Sequence, residues 1–476
     1  MEHGVKLNIQ STLWKWKEYC QAVFTLSHGD SKMTTTKECL ETLPAIVACK
    51  ILSYLDWREK LSFCKNVVPD WTQHLYSSNS WTNFIFRENI LGLENNGGMG
   101  VENYYEEIPT YSDEKNLILE FGKYFQSCLI DFETSGGLQI FNEIGEHAVN
   151  LKYIQIFHSP VLFYCPPAIL EYYYSCLGKL VSNCKKLHHL SMCRLDELSA
   201  DEVEMKGYFF SRIIDIGIIE QITGLDFSMD SSYVTPINIL THFKNLQTLK
   251  TTFCTVTTDI MRCLGKQNLK ELYLVKDNRK VGRDFQEIAW ESLAVQDNIK
   301  LDVHFIFQDT RIYVKDFPPN PFVKSIVFNR MVGSVSRDIL RAIAAYYGQT
   351  LETYAHFSMK YVTLHPYEDM ESLPCDYYYF ASQCVKLQTF ISSVPLPSEA
   401  VWCLAMKGNC LKSLCVTGNN LLFNYNVCLP FPASMKRGGM TKEFLSSEVS
   451  SFLGLNWTFL SEDEMLEKKA SLLHAC

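Results

Sequence analysis

Apolar positions along the chain recur in a short asymmetric pattern. One apolar residue is followed by two others, a second apolar residue, one other, and a third apolar residue. Clear copies are Leu151-Lys-Tyr-Ile-Gln-Ile156, Leu187-His-His-Leu-Ser-Met192 and Ile222-Thr-Gly-Leu-Asp-Phe227. Leu246-Gln-Thr-Leu-Lys-Thr251, Leu269-Lys-Glu-Leu-Tyr-Leu274 and Val323-Lys-Ser-Ile-Val-Phe328 follow, then copies from Leu351, Leu387 and Leu411. Weaker copies start at Phe125 and Ile299. From 125 to 411 the mean spacing is about 29 residues, with individual spacings of 23 to 36. The last apolar positions of each copy alternate, which is the period of a strand with one buried face. Between copies the spacing turns helical, at Ala168 to Val181, Thr258 to Leu264, Arg337 to Ala345 and Glu399 to Met406.

A different pattern precedes the first copy. Val47, Ile51 and Leu55 recur at helical spacing, and Ile46 and Leu52 widen the stripe. Pro44 suits a first helical turn, where its missing N–H costs nothing, and Thr42 can cap it. Asp56 closes that helix. Leu61, Cys64 and Val68 repeat the spacing until Pro69, and Trp71, Leu75 and Trp81 follow. Three short helices cannot bury so many large apolar side chains alone, so this stretch needs a partner surface.

A Leu-x-x-Leu-x-Leu strand at this repeat length is the signature of leucine-rich repeats. It implies an α/β solenoid, a curved parallel sheet with outer helices, in which no repeat closes its own core. An all-helical repeat is the rival fold. The earlier stretch resembles the F-box, with Leu43-Pro44, Ile51-Leu-Ser-Tyr-Leu55, Trp71 and Trp81 in the family's order. Two positions depart from that pattern. Ile46 stands where the family has an acidic residue, and Val67-Val-Pro-Asp-Trp71 replaces Val-Cys-Arg-x-Trp. A helical hairpin capping the next domain is the alternative. Cys184-x-x-Leu187 and Cys384-x-x-Leu387 resemble the cysteine-containing repeats found beside F-boxes.

The expected organisation is an N-terminal extension of little order (1–38), an F-box-like helical domain (39–88) and an acidic, glycine-containing connector (89–116). A leucine-rich-repeat solenoid (117–420) and a C-terminal cap and tail (421–476) complete it. Ser461-Glu-Asp-Glu464 reads as a capping box for a last helix through Leu473.

Composition narrows the function classes. A net charge of -9 argues against a nucleic-acid surface. Eighteen cysteines in 476 residues, with no secretory signal, read as reduced buried thiols in a cytoplasmic or nuclear protein. The most apolar window, Val161 to Val181, is broken by Pro166, Pro167, Glu171 and Lys179 and makes a poor membrane span. No metal or cofactor is expected. Cys184, His188, His189 and Cys193 form no zinc spacing, and adjacent histidines on a strand face opposite ways. The glycine run 92–100 lacks the Lys-Ser/Thr of a phosphate loop. The runs Tyr172-Tyr-Tyr174 and Tyr377-Tyr-Tyr-Phe380 read as helix positions packed on the core.

The F-box resemblance implies a non-catalytic, substrate-recognition subunit of a ubiquitin ligase. Leu43, Pro44, Ile46, Val47, Ile51, Leu52, Leu55, Leu61 and Trp71 would dock a Skp-type adaptor and, through it, cullin and RING subunits. The repeats would hold a protein target through residues between the leucines, such as Lys152, Gln155, Lys270, Glu271 and Tyr273. The alternative is a leucine-rich-repeat scaffold or inhibitor with no ubiquitin link.

Overall fold

The structure is a computed structural model of the 476-residue chain. It describes residues 43–55, 57–66, 68–87, 111–132, 135–158, 167–193, 214–215, 217–228, 240–253, 256–277, 288–308, 312–331, 335–358, 373–423 and 440–475. The expected extension 1–38, most of the connector 89–116, and Cys254 lie outside the described residues. The chain divides into two compact units, Met1–Leu225 and Asp226–Cys476.

In the first unit, α1 (Ala45–Tyr54), α2 (Trp57–Asn66) and a 3-10 turn (Pro69–Tyr76) follow one another as the spacing requires. The Pro44 carbonyl accepts from the N–H groups of Val47 and Ala48 at 2.9 and 3.0 Å, starting α1. Pro69 stands at the start of the 3-10 turn, and α2 has already ended at Asn66. Ile51, Leu52, Leu55, Phe63, Trp71 and Leu75 are all buried.

The parallel strands then begin earlier than the sequence pattern shows. β1 (Phe84–Arg87) pairs with β2 (Ser127–Phe132), Phe84 opposite Cys128 and Phe86 opposite Ile130. The segment 39–88, expected to be helical, therefore ends in a strand, and Trp81-x-x-Phe84-x-Phe86 is a first copy of the repeat. β3 (Tyr153–His158), β4 (His189–Cys193) and β5 (Gly224–Asp226) extend the row in chain order. Their return helices are α3 (Ser112–Phe121), α4 (Ser135–His147) and α5 (Pro167–Asn183).

The second unit repeats this plan. β6 (Thr248–Thr252), β7 (Glu271–Asp277), β8 (Asp302–Gln308) and β9 (Val323–Met331) lie side by side, all parallel. β10 (Thr353–Ser358), β11 (Thr389–Ser392) and β13 (Ser413–Val416) continue the row. A small side pair joins β12 (Leu396–Pro397) to β14 (Leu421–Leu422). The helices are α6 (Thr258–Gln267), α7 (Trp290–Val295), α8 (Arg337–Tyr347), α9 (Leu373–Gln383) and α10 (Ser398–Lys407). α11 (Lys442–Leu453) and α12 (Glu462–Ala475) end the chain. Thr257 and Ser336 cap α6 and α8 by accepting from Ile260 N–H and Ile339 N–H. Gly348 closes α8 where a Cβ would meet the carbonyl oxygens of Ala344 and Gln383 at 2.5 and 2.6 Å.

This arrangement is α/β, with parallel strands returning through helices in the manner of leucine-rich repeats. The all-helical alternative is excluded by the strands. Repeat residues form inward columns, for example Leu274, Phe305, Ile326, Tyr354, Phe390 and Leu414, each opposite the next. The copy expected from Ile299 corrects to Val303, Phe305 and Phe307, which are buried, Val303 and Phe305 standing opposite Leu272 and Leu274. Among the described residues eleven cysteines are free thiols, and eight of these are buried. Burial pushes Cys64, Cys184 and Cys403 up to about 12 and Cys176 to about 11, so these thiols pack rather than react.

Leu272→Asp places a carboxylate in an inward column, between Leu249 and Val303, and is expected to cost at least ~3 kcal/mol. The exposed neighbour change Lys270→Asp should stay within about 0.5 kcal/mol of wild type. Urea unfolding of the full chain, followed by circular dichroism, compares the two. Equal midpoints would contradict this strand register.

Candidate functional site

The described residues offer two apolar faces, one in each unit. The first is on α1. Its inner side is committed to packing: Trp71 lies 5.7 Å from Phe63, and Trp81 stacks on Phe121 and contacts Phe125, at 5.2 and 5.4 Å. Trp81 Nε1–H donates to the Leu75 carbonyl at 2.6 Å, and the Lys60 ammonium sits 4.5 Å from the Trp81 ring centroid. Arg58 reaches Glu114 of α3 at 2.8 Å, and Tyr76 O–H donates to Glu120 at 2.7 Å. The partner surface demanded by the helices is thus supplied in part by α3 and the first repeat.

The expected adaptor-binding residues split accordingly. Ile51, Leu52, Leu55 and Trp71 are buried within the first unit and cannot meet a partner directly. Leu43, Val47 and Leu61 are half-buried, and Pro44 is exposed. Ile46 is 74% exposed. Leu43, Pro44, Ile46 and Val47 leave an apolar edge at the start of α1.

The second face is the inner side of β7 to β13, opposite the inward columns. Sequence reasoning placed polar target-reading residues here, and Glu271 is indeed exposed, accepting from Tyr273 O–H at 3.2 Å. Lys270 is exposed and reaches Gln247 at 3.3 Å. In the first unit Lys152 is exposed and Gln155 half-buried. Tyr273, however, is buried, in a stripe that continues through Val275, Ile306 and Val327. Ala355, Phe357, Ile391 and Cys415 carry the stripe on to β13, and Met465 of α12 is buried against it. The signal was present in the sequence. Leu272-Tyr-Leu-Val275, Phe305-Ile-Phe307 and Ile326-Val-Phe328 are unbroken apolar runs, which mark strands covered on both faces.

Other clusters are already committed. Glu143, Glu146 and His147 could reach one ion, but Lys115 pairs with Glu143 and Lys179 with Glu146, both at 2.7 Å. Cys184 Sγ–H donates to the Ala148 carbonyl at 3.0 Å, and the His189 ring stacks on Tyr153 at 4.6 Å. Each aromatic run is divided: Tyr173, Tyr174, Tyr377 and Phe380 are buried, while Tyr172 and Tyr379 are exposed. A groove of about 480 Å³ beside Tyr346 and Tyr379 is lined by Arg341, which is held by Asp376 at 3.0 Å. No helix among the described residues is long and apolar enough to cross a membrane.

No family model matches the chain, and no curated protein matches it. Among solved structures it overlays on the Rad7 and Elc1 complex of yeast at 13% identity, covering 93% of this chain and 97% of that one, with a TM-score of 0.37. It also overlays on D-psicose 3-epimerase in the presence of D-fructose at 13% identity, covering 52% and 81%, with a TM-score of 0.17. Both superpositions are too loose to carry an argument about this chain.

At the stripe's edge, His304 stacks on Tyr273 at 4.4 Å and meets Ser325 Oγ at 2.7 Å. Burial holds its imidazolium below the usual range, against the opposing pull of Glu271, Asp302 and Glu352. The unfolded chain therefore takes up this proton first on acidification. Its contribution to stability is complete above the ordinary histidine value of about 6.5 and is lost as pH falls below it. Urea midpoints measured from pH 7.5 to 5 should fall more steeply for wild type than for His304→Gln. Parallel curves would contradict a neutral native imidazole.

Proposed function

We propose that this chain is a non-catalytic recognition subunit of a ubiquitin ligase of the Skp–cullin–F-box type. The observation that carries the reading is the division of α1. Ile51, Leu52 and Leu55 match the F-box pattern and face inward, building a folded helical segment, while Leu43 and Pro44, which also match it, stand just before the helix. Its outer residues Leu43, Pro44, Ile46 and Val47 keep an apolar edge open for an adaptor. A parallel repeat array in the same chain supplies a surface for a protein target. In this reading the chain performs no bond chemistry. It raises the effective concentration of a target's lysines near a charged ubiquitin carrier, through the adaptor, cullin and RING subunits. Eleven described thiols, all free, fit a reducing compartment, the cytosol or the nucleus.

The rival reading, a repeat scaffold without ubiquitin chemistry, is separated by adaptor binding. Leu43→Ala/Ile46→Asp alters only the open edge and should leave the thermal melt unchanged. Loss of a buried anchor at a protein interface costs roughly 2–4 kcal/mol, or about 30- to 1,000-fold in affinity. Titration of a purified Skp-type adaptor against wild type and variant measures it. Absence of adaptor binding by wild type, or equal binding by both, rejects the docking reading.

A further inference from the structure

We propose that the turns leading into β2, β3 and β4 form a basic docking rim for a short acidic segment of a partner protein. The inference stands apart from the adaptor reading and concerns only the first unit.

Three observations carry it. First, positive charge gathers there without opposing charge. Lys123, Lys152, Lys185, Lys186 and His188 are all exposed. The turns that hold them, 122–127, 147–153 and 183–190, contain no aspartate or glutamate. Pairing of the three strands brings these turns within about 10 Å of one another. Carboxylates of the flanking helices are engaged elsewhere: Glu120 accepts from Tyr76 O–H, and Glu146 pairs with Lys179, both at 2.7 Å.

Second, neutral groups position the cations. Lys152 Nζ donates to the Gln126 side-chain carbonyl at 3.2 Å, and Lys186 Nζ to that of Asn150 at 2.7 Å. Asn150 in turn donates to the Lys123 carbonyl at 2.6 Å, and Gln126 to the Ser78 carbonyl at 2.9 Å. The turns are thus tied to one another across three repeats. Among the described residues none of the four ammonium groups pairs with a carboxylate. An ammonium carries three N–H donors, so Lys152 and Lys186 each keep two for a ligand.

Third, the second unit differs at the same level of the repeat. The position held by Lys152 and His188 in the first unit is held there by Lys324 and Glu352, which pair at 2.7 Å. Glu271 and Asp302, at the starts of β7 and β8, are exposed. Uncompensated charge at this level therefore belongs to the turns before β2, β3 and β4.

The chemistry of the rim selects its occupant. All four fixed charges are lysines, compact point charges that suit single carboxylates, and no arginine stands among them to fork a phosphate. The chain's net charge of -9 repels a long polyanion wherever it runs past the rim, whereas a short acidic segment ends with it. In an extended segment, side chains on one face recur about every 7 Å, so two or three alternate acidic residues span these turns.

The experiment uses the full chain and fluorescein-labelled octaglutamate, with binding read by fluorescence anisotropy. Lys152→Glu/Lys186→Glu should bind it at least ~10-fold more weakly than wild type, while Lys300→Glu/Lys386→Glu should stay within about 2-fold. The second pair makes the same change in net charge at exposed sites of the second unit. Raising NaCl from about 50 to about 500 mM should weaken wild-type binding at least ~10-fold. No binding by wild type, or equal loss in the two charge-reversed variants, would overturn the proposal. Tighter binding of labelled octathymidylate than of octaglutamate would overturn it too, and would assign the rim to nucleic acid. If charge reversal unfolds the chain, Lys152→Gln/Lys186→Gln decides the matter: a loss of at least ~3-fold is expected, and unchanged affinity rejects the rim.

Discussion

The structure depends on one constraint: no repeat can bury its own apolar residues. Each strand offers one inward row, and that row is covered only when the next strand and its return helix stack beside it. Leu274, Phe305, Ile326, Tyr354, Phe390 and Leu414 are single residues of separate copies, yet together they form one continuous column. Backbone hydrogen bonding sets the column and the side chains fill it. Polar substitutes are tolerated where the geometry holds them. His356 and Ser392 occupy successive places in the next column, between Phe328 and Val416. The regularity of the ladder therefore resides in the backbone more than in residue identity.

That division explains what could be read from the sequence. Copies with three aliphatic residues, such as Leu269, Leu272 and Leu274, were evident. The copy Trp81, Phe84 and Phe86 was hidden, because aromatic residues filled its positions and a helical stretch ran directly into it. The copy near Ile299 was misplaced because Ile299 and Leu301 are buried apolar residues that lie just before β8, not in it. The helices α5, α6, α8 and α10 followed from apolar spacing alone. At the candidate sites the picture was weaker. The same spacing that marks Ile51 and Leu52 as apolar cannot say whether they face a partner or their own core, and the structure turns them inward. The second apolar face of β7 to β13 was legible as uninterrupted runs, but the helix that packs on it, α12, lies beyond β13 in the sequence and carries no signal of that contact.

Electrostatics plays a supporting part. Exposed pairs such as Lys179–Glu146 sit where water screens them and contribute little. The carboxylate of Asp376 is different: it is fully buried and held by Arg337 and Arg341 at 3.2 and 3.0 Å, joining α8 to α9. Removing both arginines would leave this carboxylate's charge in a dry site, a larger penalty than the pairs' own net worth. Such a tie fixes helix spacing more than it adds stability.

The first repeat has a consequence for modularity. Trp81 belongs at once to the helical stretch, through its hydrogen bond to Leu75, and to the strand row, through Phe121 and Phe125. A cut after residue 87 would strip Phe84 and Phe86 of the strand beside them and leave an unpaired, aromatic-rich edge. The helical stretch is therefore not an exchangeable cassette in this chain. Grafting it onto another protein requires carrying α3 and β2 along, and evolution could recombine it only at a boundary beyond Phe132.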